Sequence, residues 1–561
     1  MGGGLLNIIS YGNQNIMLNG NPSKTFFKTV YAKYTNFGMQ KFRIDYEGQR
    51  DLKLNEDTHL TFKLPRHGEL LMDSYLVFNL PDIWSPILPP TTTLDCWKPY
   101  QFRWISHIGA NIIRRARIVI GGKTIQEFSG EYLKNMADRD FSSEKKDLFY
   151  RMIGHEEQLY RPETAYNRLR RYPTSFYNTN PIEPSIRGRT MYVPLHFWFM
   201  NSPKMALPMV SLQYHEVQIV LELRPIRELF TIADVSVPKS EFTLNPIQPN
   251  FTNEYHSMYR FLQQPPSVVL DRKNYNSGLN SWDSDIHLIT TYAFLTDEES
   301  RTFAANEQRY LIKDIHETLH TNITGNRRIR IDTTSMVSSW MWNFRRNDAF
   351  KRNQWSNYSN WDYGDTLPSN VIAAPKESEY SPDVALMGNL KGIGPGLDYF
   401  ITAEKTVDYT STPYYVCPVA TIKNIKQILV SLSILLDGKY REFAFSPGIY
   451  NFIEKYRGSN GVSEDGLYCY NFCLNTTPFD LQPSGAINLS RFKTIEMDVS
   501  TILPEPNPEA SFQTICDTEG TIIGTNQNDN LYIYHYDLYL AEERFNLLRF
   551  ISGNAGLLYM R

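Results

Sequence analysis

The sequence predicts an all-β chain folded as two consecutive antiparallel sandwiches of about eight strands each. Three observations predict it. Many short runs alternate apolar and polar residues with the period-two pattern of a half-buried sheet, and few helical periods interrupt them. The 36 Tyr and 31 Phe are residues that pack well on pleated surfaces, and 32 Pro and 31 Gly spread along the chain supply turns. The length, 561 residues, exceeds one ordinary core, and all-β domains often run to about 250 residues, so two large β domains is the simplest division.

In chain order, residues 1–40 read as an arm. Met1 to Gly4 is a flexible lead; Leu5, Leu6, Ile8 and Ile9 form an apolar patch too short to hold itself in water, so it must dock on its own body or on a partner. Phe42, Ile44 and Tyr46 alternate with Arg43, Asp45 and Glu47; Leu60, Phe62 and Leu64 repeat the pattern until Pro65; Leu70 to Leu80 is a more continuous apolar strand ended by Pro81. Beyond a Pro- and Thr-rich loop, Trp104 to Ile120 reads as paired strands turned at Gly121-Gly122-Lys123. Gly122-Lys123-Thr124 imitates the end of a phosphate-binding loop, but Arg117 stands where that loop needs Gly, and the turn joins strand to strand. Glu131 to Arg139 and Ser143 to Ile153 read as short charged helices within a long loop. Arg189 to Arg224 is strand, turn and strand, with Val217, Ile219, Leu221 and Leu223 on one face and Gln218, Glu222 and Arg224 on the other, closing the first domain near residue 225. A Pro-punctuated linker follows. His287 to Leu295 is expected to open the second half, with Thr296 and Glu299 forming a capping box for a short helix. Strands are predicted at Arg309 to His316, Arg327 to Asp332, Ile422 to Leu436, Gly466 to Leu474, Ile495 to Val499 and Leu531 to Leu540; residues 340–417 show little regular pattern.

Five stretches carry a resemblance. The arm, GGGLLNIISYGNQNIMLNGNPSKTFFKTVYAKYTNF from Gly2 to Phe37, the segments VPLHFWF, ALP and LQYHEV within residues 193–217, YAFLTDEESRTFA from Tyr292, QPSGAINLSRF from Gln482, and the closing NLLRFISGNAGLLYMR are similar to major capsid proteins of the nucleocytoplasmic large DNA viruses. Leu481 stands where the family usually has His, a small departure. The resemblance implies an all-β fold of two consecutive eight-stranded antiparallel jelly rolls with a few short helices in loops. It divides the chain into the arm at 1–40, a first jelly roll at 41–225, a linker at 226–285 and a second jelly roll at 286–561 with long outer loops at about 333–417. It implies a structural protein whose homotrimer, six-sided in outline, contacts neighbouring capsomers and tiles an icosahedral shell. Minor capsid and penton proteins would be further partners. The arm would lie towards an inner membrane, and assembly would take place in the host cytoplasm.

The remaining sequence excludes more than it adds. A formal net charge of −3 and the lack of a nucleic-acid motif argue against direct nucleic-acid binding; the patch of Arg161, Arg168, Arg170, Arg171, Arg187 and Arg189 reads as a solvated loop or a subunit contact. Five cysteines are too few and scattered for a disulfide framework; Cys469 and Cys473 lack two further ligands for zinc and read as buried thiols. No signal peptide or membrane-spanning run is read, and Leu6 occupies the position where a myristoylation motif needs Ser or Thr. His155-Glu156-Glu157, His215-Glu216 and His535 with Asp537 make no catalytic constellation, so no enzyme activity and no cofactor or metal is expected. Asn322 and Asn357 are the candidate glycosylation sites, since they flank long loops. Trp340, Trp342, Trp355 and Trp361 have two readings. Either the rings pin the loop or fill a subunit contact, or they form an outer sugar-binding surface; the latter belongs to the alternative function, a carbohydrate- or receptor-binding surface protein.

Overall fold

The computed structural model describes residues 2–48, 51–88, 98–168, 172–175, 183–233, 246–265, 275–364, 371–373, 400–402, 425–516, 520–527 and 530–559. The first half contains β1 (Phe37–Ile44), β2 (Thr58–Lys63), β3 (Leu70–Leu80), β4 (Ile113–Ile120), β5 (Lys123–Phe128), β6 (Arg189–Pro194), β7 (Val217–Leu223) and β8 (His287–Leu295). They build two antiparallel sheets, in the orders β1-β8-β3-β6 and β2-β7-β4-β5. The second half contains β9 (Gln308–Ile323), β10 (Asn326–Arg330), β11 (Met336–Arg346), β12 (Leu429–Leu436), β13 (Lys439–Phe445), β14 (Leu467–Asn471), β15 (Ile495–Thr501) and β16 (Tyr536–Ile551). Its sheets run β9-β16-β11-β14 and β10-β15-β12-β13. The second pair of sheets repeats the first with every strand number raised by eight. Each half is a jelly roll, in which successive strands pass between two packed sheets.

Local sequence explains the strands. β7 alternates buried and half-buried residues along its whole length and sends Val217, Ile219, Leu221 and Leu223 into the first core. Gly121 and Gly122 both take positive φ, 56° and 78°, in the turn that joins β4 to β5, so the hairpin reading of this segment stands. The predicted helices form as α2 (Gly130–Asp140), α3 (Ser143–Met152) and α4 (Asp297–Ala305), and an unpredicted one, α1 (Gly3–Ile9), begins inside the lead read as flexible.

Three expectations need correction. His287–Leu295 does not open the second roll. It lies between β1 and β3 as the eighth strand of the first, with Tyr292 buried in that core and its hydroxyl donating to the Pro65 carbonyl. The first roll therefore extends past the expected boundary at residue 225. The segment read as a linker is the excursion from β7 to β8, and Phe230–Ala233 within it pairs with Gln101–Trp104. A strand's apolar pattern announces a buried face but not which sheet it joins. Thr296 does precede α4, but its side chain makes no capping hydrogen bond. The last long strand begins at Tyr536 and runs unbroken through Asn546 to Ile551, rather than ending at Leu540.

In the sheet β9-β16-β11-β14, the strands β16, β11 and β14 are buried on both faces, whereas the edge strand β9 is partly exposed. Trp340, Trp342, Tyr468 and Tyr470 face the second core, whereas Met341, Cys469 and Ala541 join the first. This explains why β11 and β14 read as nearly continuous runs rather than alternating ones. It also overturns the placement of Trp340 and Trp342 in an outer loop, because Met336–Arg346 is a central strand and both rings are fully buried. Replacing Trp342 by Ala should cost about 3–5 kcal/mol of unfolding free energy. Urea unfolding followed by circular dichroism checks it; a variant as stable as the parent would contradict a core role.

Candidate assembly surfaces

The second roll's doubly buried sheet is closed on its outer side by β5 and α2 of the first roll, and the seam is ionic. Arg139, at the end of α2, is fully buried. Its guanidinium pairs with Asp140 at 2.7 Å, donates to Ser339 Oγ at 3.1 Å and bonds the Glu543 carboxylate. Glu543 also accepts from Tyr132 Oη at 2.9 Å and Ser339 Oγ at 2.9 Å, and Lys313 Nζ stands 3.3 Å away. Ser339 and Glu543 are cross-strand neighbours on β11 and β16, so the sheet presents one acid and one hydroxyl to one arginine. Nearby, Glu131 accepts from Asn343 Nδ2 at 3.0 Å and Arg345 Nη1 at 3.1 Å. On the far side of α2, Lys134 pairs with Asp138 at 2.7 Å, and Tyr150 donates to the same carboxylate.

Charges this deep are stable only because they are paired. Burial by itself pushes the Glu543 carboxyl up, but the Arg139 and Lys313 cations outweigh it and hold it below the usual carboxylate range. Glu317 lacks a cation of that kind. Burial pushes it up to about 7, although it accepts from Ser129 N at 3.0 Å, Ser129 Oγ at 2.6 Å and the Tyr539 hydroxyl. Cys469 is held at about 11 by burial and Cys473 is also raised by burial, so both are inert thiols, as their sequence context suggests. Among the described residues no group of His, Cys, Asp and Glu is arranged to hold a metal. No helix among them is long and apolar enough to cross a membrane. Cys96, Cys417, Arg170 and Arg171 lie outside the described residues.

The remaining predicted positions divide. Trp355 sits in the seam, where its Nε1 donates to the Glu228 carbonyl at 3.0 Å and the Arg224 guanidinium lies 4.1 Å from its ring centre. Next to it, Asn353 Nδ2 donates to the carbonyls of Arg227 and Phe230 at 2.8 and 2.7 Å. The segment after β11 is thus pinned to the first roll, as the pinning reading of the tryptophans expects. Trp361 is half-buried, with Lys426 5.3 Å from its ring centre. With two of the four rings in the core and Trp355 in the seam, these four tryptophans do not share one outward surface. Asn357 is 8% exposed, its Nδ2 donates to the Trp361 carbonyl and its Oδ1 accepts from Ser359, so it offers no free amide for a glycan. Asn322 is exposed, with φ of 61°.

Exposed apolar side chains gather in several places, among them the arm and one sheet edge. Leu5, Leu6, Ile8 and Ile9 lie in α1 and are 50–73% exposed, and the arm up to Phe37 stands off the body. The second cluster is Tyr440, Phe443 and Phe445 on the edge strand β13, with Phe452, Ile453 and Tyr456 on the following helical turn. Sequence reasoning singled out the arm because nothing near it could cover it. It missed this edge and the seam, although the acidic pair Glu542-Glu543 inside an apolar strand and the charged face of α2 were signals.

Two tandem jelly rolls, one sealed against the other and both edged by uncovered apolar surface, define a double jelly-roll protein suited to lateral packing. Residues 25–259 match the family described as major capsid protein N-terminus, and residues 299–556 match large eukaryotic DNA virus major capsid protein. The chain is 24% identical to the major capsid protein of Phaeocystis pouchetii virus, over all of both chains. It is 25% identical to that of Paramecium bursaria Chlorella virus 1, again over all of both. The solved quasi-atomic structure of the PBCV-1 virus capsid shares the fold with a TM-score of 0.57 at 19% identity, covering 96% of this chain and 100% of the other. The chain belongs to the large eukaryotic DNA virus major capsid proteins, and it is a structural component of a virion shell.

Glu317 gives the seam a pH dependence with a definite sign. Its folded carboxyl is raised from 4.5 to about 7, so its stabilising contribution is full below 4.5 and is lost as pH rises through about 7. Glu317→Gln should therefore flatten the change in melting temperature between about pH 5 and 8. Parallel profiles for parent and variant in differential scanning calorimetry would contradict it.

Proposed function

We propose that three copies of this chain form a capsomer with a six-sided outline and that such capsomers tile an icosahedral shell. The observation that carries this reading is the repetition of one strand order in both halves. Three chains then supply six similar lobes, and six similar lobes can pack on a hexagonal lattice through near-equivalent contacts. The similar solved structure of the PBCV-1 virus capsid supports it. Further partners are minor capsid and penton proteins, with assembly in the host cytoplasm. No direct contact with nucleic acid is part of the reading, in keeping with a net charge of −3.

The arm takes the inward position, against minor proteins or an inner membrane. Its α1 exposes Leu5, Leu6, Ile8 and Ile9 and contributes nothing to either core. Burying such side chains stabilises by about 1.5–3 kcal/mol each, enough for several together to direct docking. Deleting residues 2–20 should leave the melting temperature and the capsomer intact but abolish or disorder sheets and shells seen by electron microscopy. An arm-deleted chain that fails to fold would contradict this role, and one that tiles normally would make the arm dispensable.

A further inference from the structure

A second group of polar side chains lies beside the seam, where the loop before β4 meets the turn after α3. Ser106 Oγ stands 2.7 Å from His107 Nδ1 and 2.9 Å from His155 Nδ1. The two imidazoles are stacked, with ring centres 4.0 Å apart and planes 10° apart. Tyr150 meets the pair edge-on, 4.7 Å from His107 and 5.0 Å from His155, and Tyr160 also stacks on His155, at 4.8 Å. His107 is 3% exposed and has a φ of 55°, and its Nε2 has no hydrogen-bond partner. A strained backbone and an orphaned ring nitrogen persist in a buried place only where the surroundings fix them.

One hydroxyl hydrogen serves two ring nitrogens. Ser106 donates to one Nδ1 and accepts from the other, which suits two neutral imidazoles. An added proton has no good place. On the accepting Nδ1 it sets a second donor against a hydroxyl that was donating; on His107 Nε2 it makes a buried N–H without an acceptor; on both rings it puts like charges face to face. The charged groups around the pair do not offset this. Asp138 of α2 is engaged by Lys134 at 2.7 Å, by Lys146 of α3 at 3.1 Å and by the Tyr150 hydroxyl, and Glu464 lies 3.8 Å from Lys134. On the other side, Glu156 pairs with Arg189, and the Arg161 guanidinium lies 5.9 Å from the Tyr160 ring centre. Burial first, then the neighbouring His155, Lys134 and Lys146, hold His107 well below the ordinary imidazole range.

What the set holds in place is α3. That helix has one buried residue, Phe149, which packs on Phe141 at 5.5 Å and on a third imidazole, His196, at 6.4 Å. The chain just after it is tied back by Gly109 N, which donates to the Ile153 carbonyl at 2.8 Å from the helical turn that His107 precedes. Through Lys146 and Tyr150, α3 in turn clamps Asp138, the neighbour of Arg139 in the seam. We infer that Ser106, His107 and His155 form an acid-operated latch, which holds α3 against α2 while both imidazoles are neutral and releases it as they take up protons. The latch works within one chain and is independent of the capsomer reading. Its sign is opposite to that of Glu317. An imidazole disfavoured as a cation in the folded chain contributes stability above its ordinary value of about 6.5, and that contribution is lost as pH falls below it towards the folded value.

Hydrogen exchange of the full-length protein tests the latch, read as protection factors so that intrinsic exchange rates cancel. At about pH 5.5, one unit below the ordinary imidazole value, each imidazole that gains its proton only on opening favours opening about tenfold. The amides of Gly109 and of Phe149 to Ile153 should therefore lose about tenfold or more in protection between about pH 7.5 and 5.5, while those of β7 hold theirs. A His107→Phe/His155→Phe variant keeps two stacked rings without the protons, and with His196 left in place its loss should be smaller than the parent's by at least about tenfold. His155→Gln, at a half-buried position, should by itself lose about tenfold less than the parent, which keeps the test decisive if the double variant fails to fold. A parent whose α3 amides stay protected at acid pH overturns the latch. So does a folded variant that loses as much as the parent, because other groups then carry the pH dependence.

Discussion

The structure depends on a buried charge pair, Arg139 with Glu543, at the seam of the two rolls. Neither roll can present its half of this pair to a low-dielectric environment alone. Separation would require both ions to be rehydrated, or would leave one of them buried and unpaired, at a cost of about 3–5 kcal/mol. A buried pair is weak evidence for net stability, because desolvation opposes it. Its effect is orientation: the fork of one guanidinium must meet Asp140, Ser339 and Glu543 together, which admits one register of α2 on the sheet. Around it, Glu131 with Arg345 and Ser129 with Glu317 repeat the polar match along β11 and β9. The apolar contacts between rolls supply area, and the polar ones fix how that area is aligned.

This constraint shapes the sequence of the second roll. Both faces of its seam sheet are buried: β11 carries Trp340 and Trp342 inward, and on the other face Met341 lies beside Ser339, Asn343 and Arg345, which meet Arg139 and Glu131 of α2. The corresponding strand of the first roll, β3, keeps half-buried residues such as Tyr75 and Asn79 on the face that remains open. One fold thus appears twice with different surface chemistry, and the difference marks which faces are closed within the chain.

Much of the fold was legible. Strands with one wet face, such as β2, β4 and β7, declared themselves by period two, and the glycine turn at Gly121-Gly122 declared its hairpin. Three kinds of information were not local. The sheet that β8 joins depends on a partner, β1, almost 250 residues upstream, which no periodicity encodes. The strand identity of Trp340 and Trp342 was hidden because burial on both faces removes the alternation that reveals strands. Asn357 carries an acceptor motif, yet its amide is spent on a loop turn closed by Ser359 and Trp361. The surfaces were legible only at the arm, where a short apolar run between flexible and polar residues has nothing local to cover it. Exposed aromatics on β13 resemble core aromatics until the sheet order shows that the strand lies at an edge.

The account's central claim is that this chain is one third of a closed capsomer. Light scattering after size exclusion of the purified full-length protein tests it most directly. One chain weighs 65.2 kDa. The account predicts a stable species near three times that mass at micromolar concentration, with no appreciable dimer. A clean monomer under those conditions would contradict it.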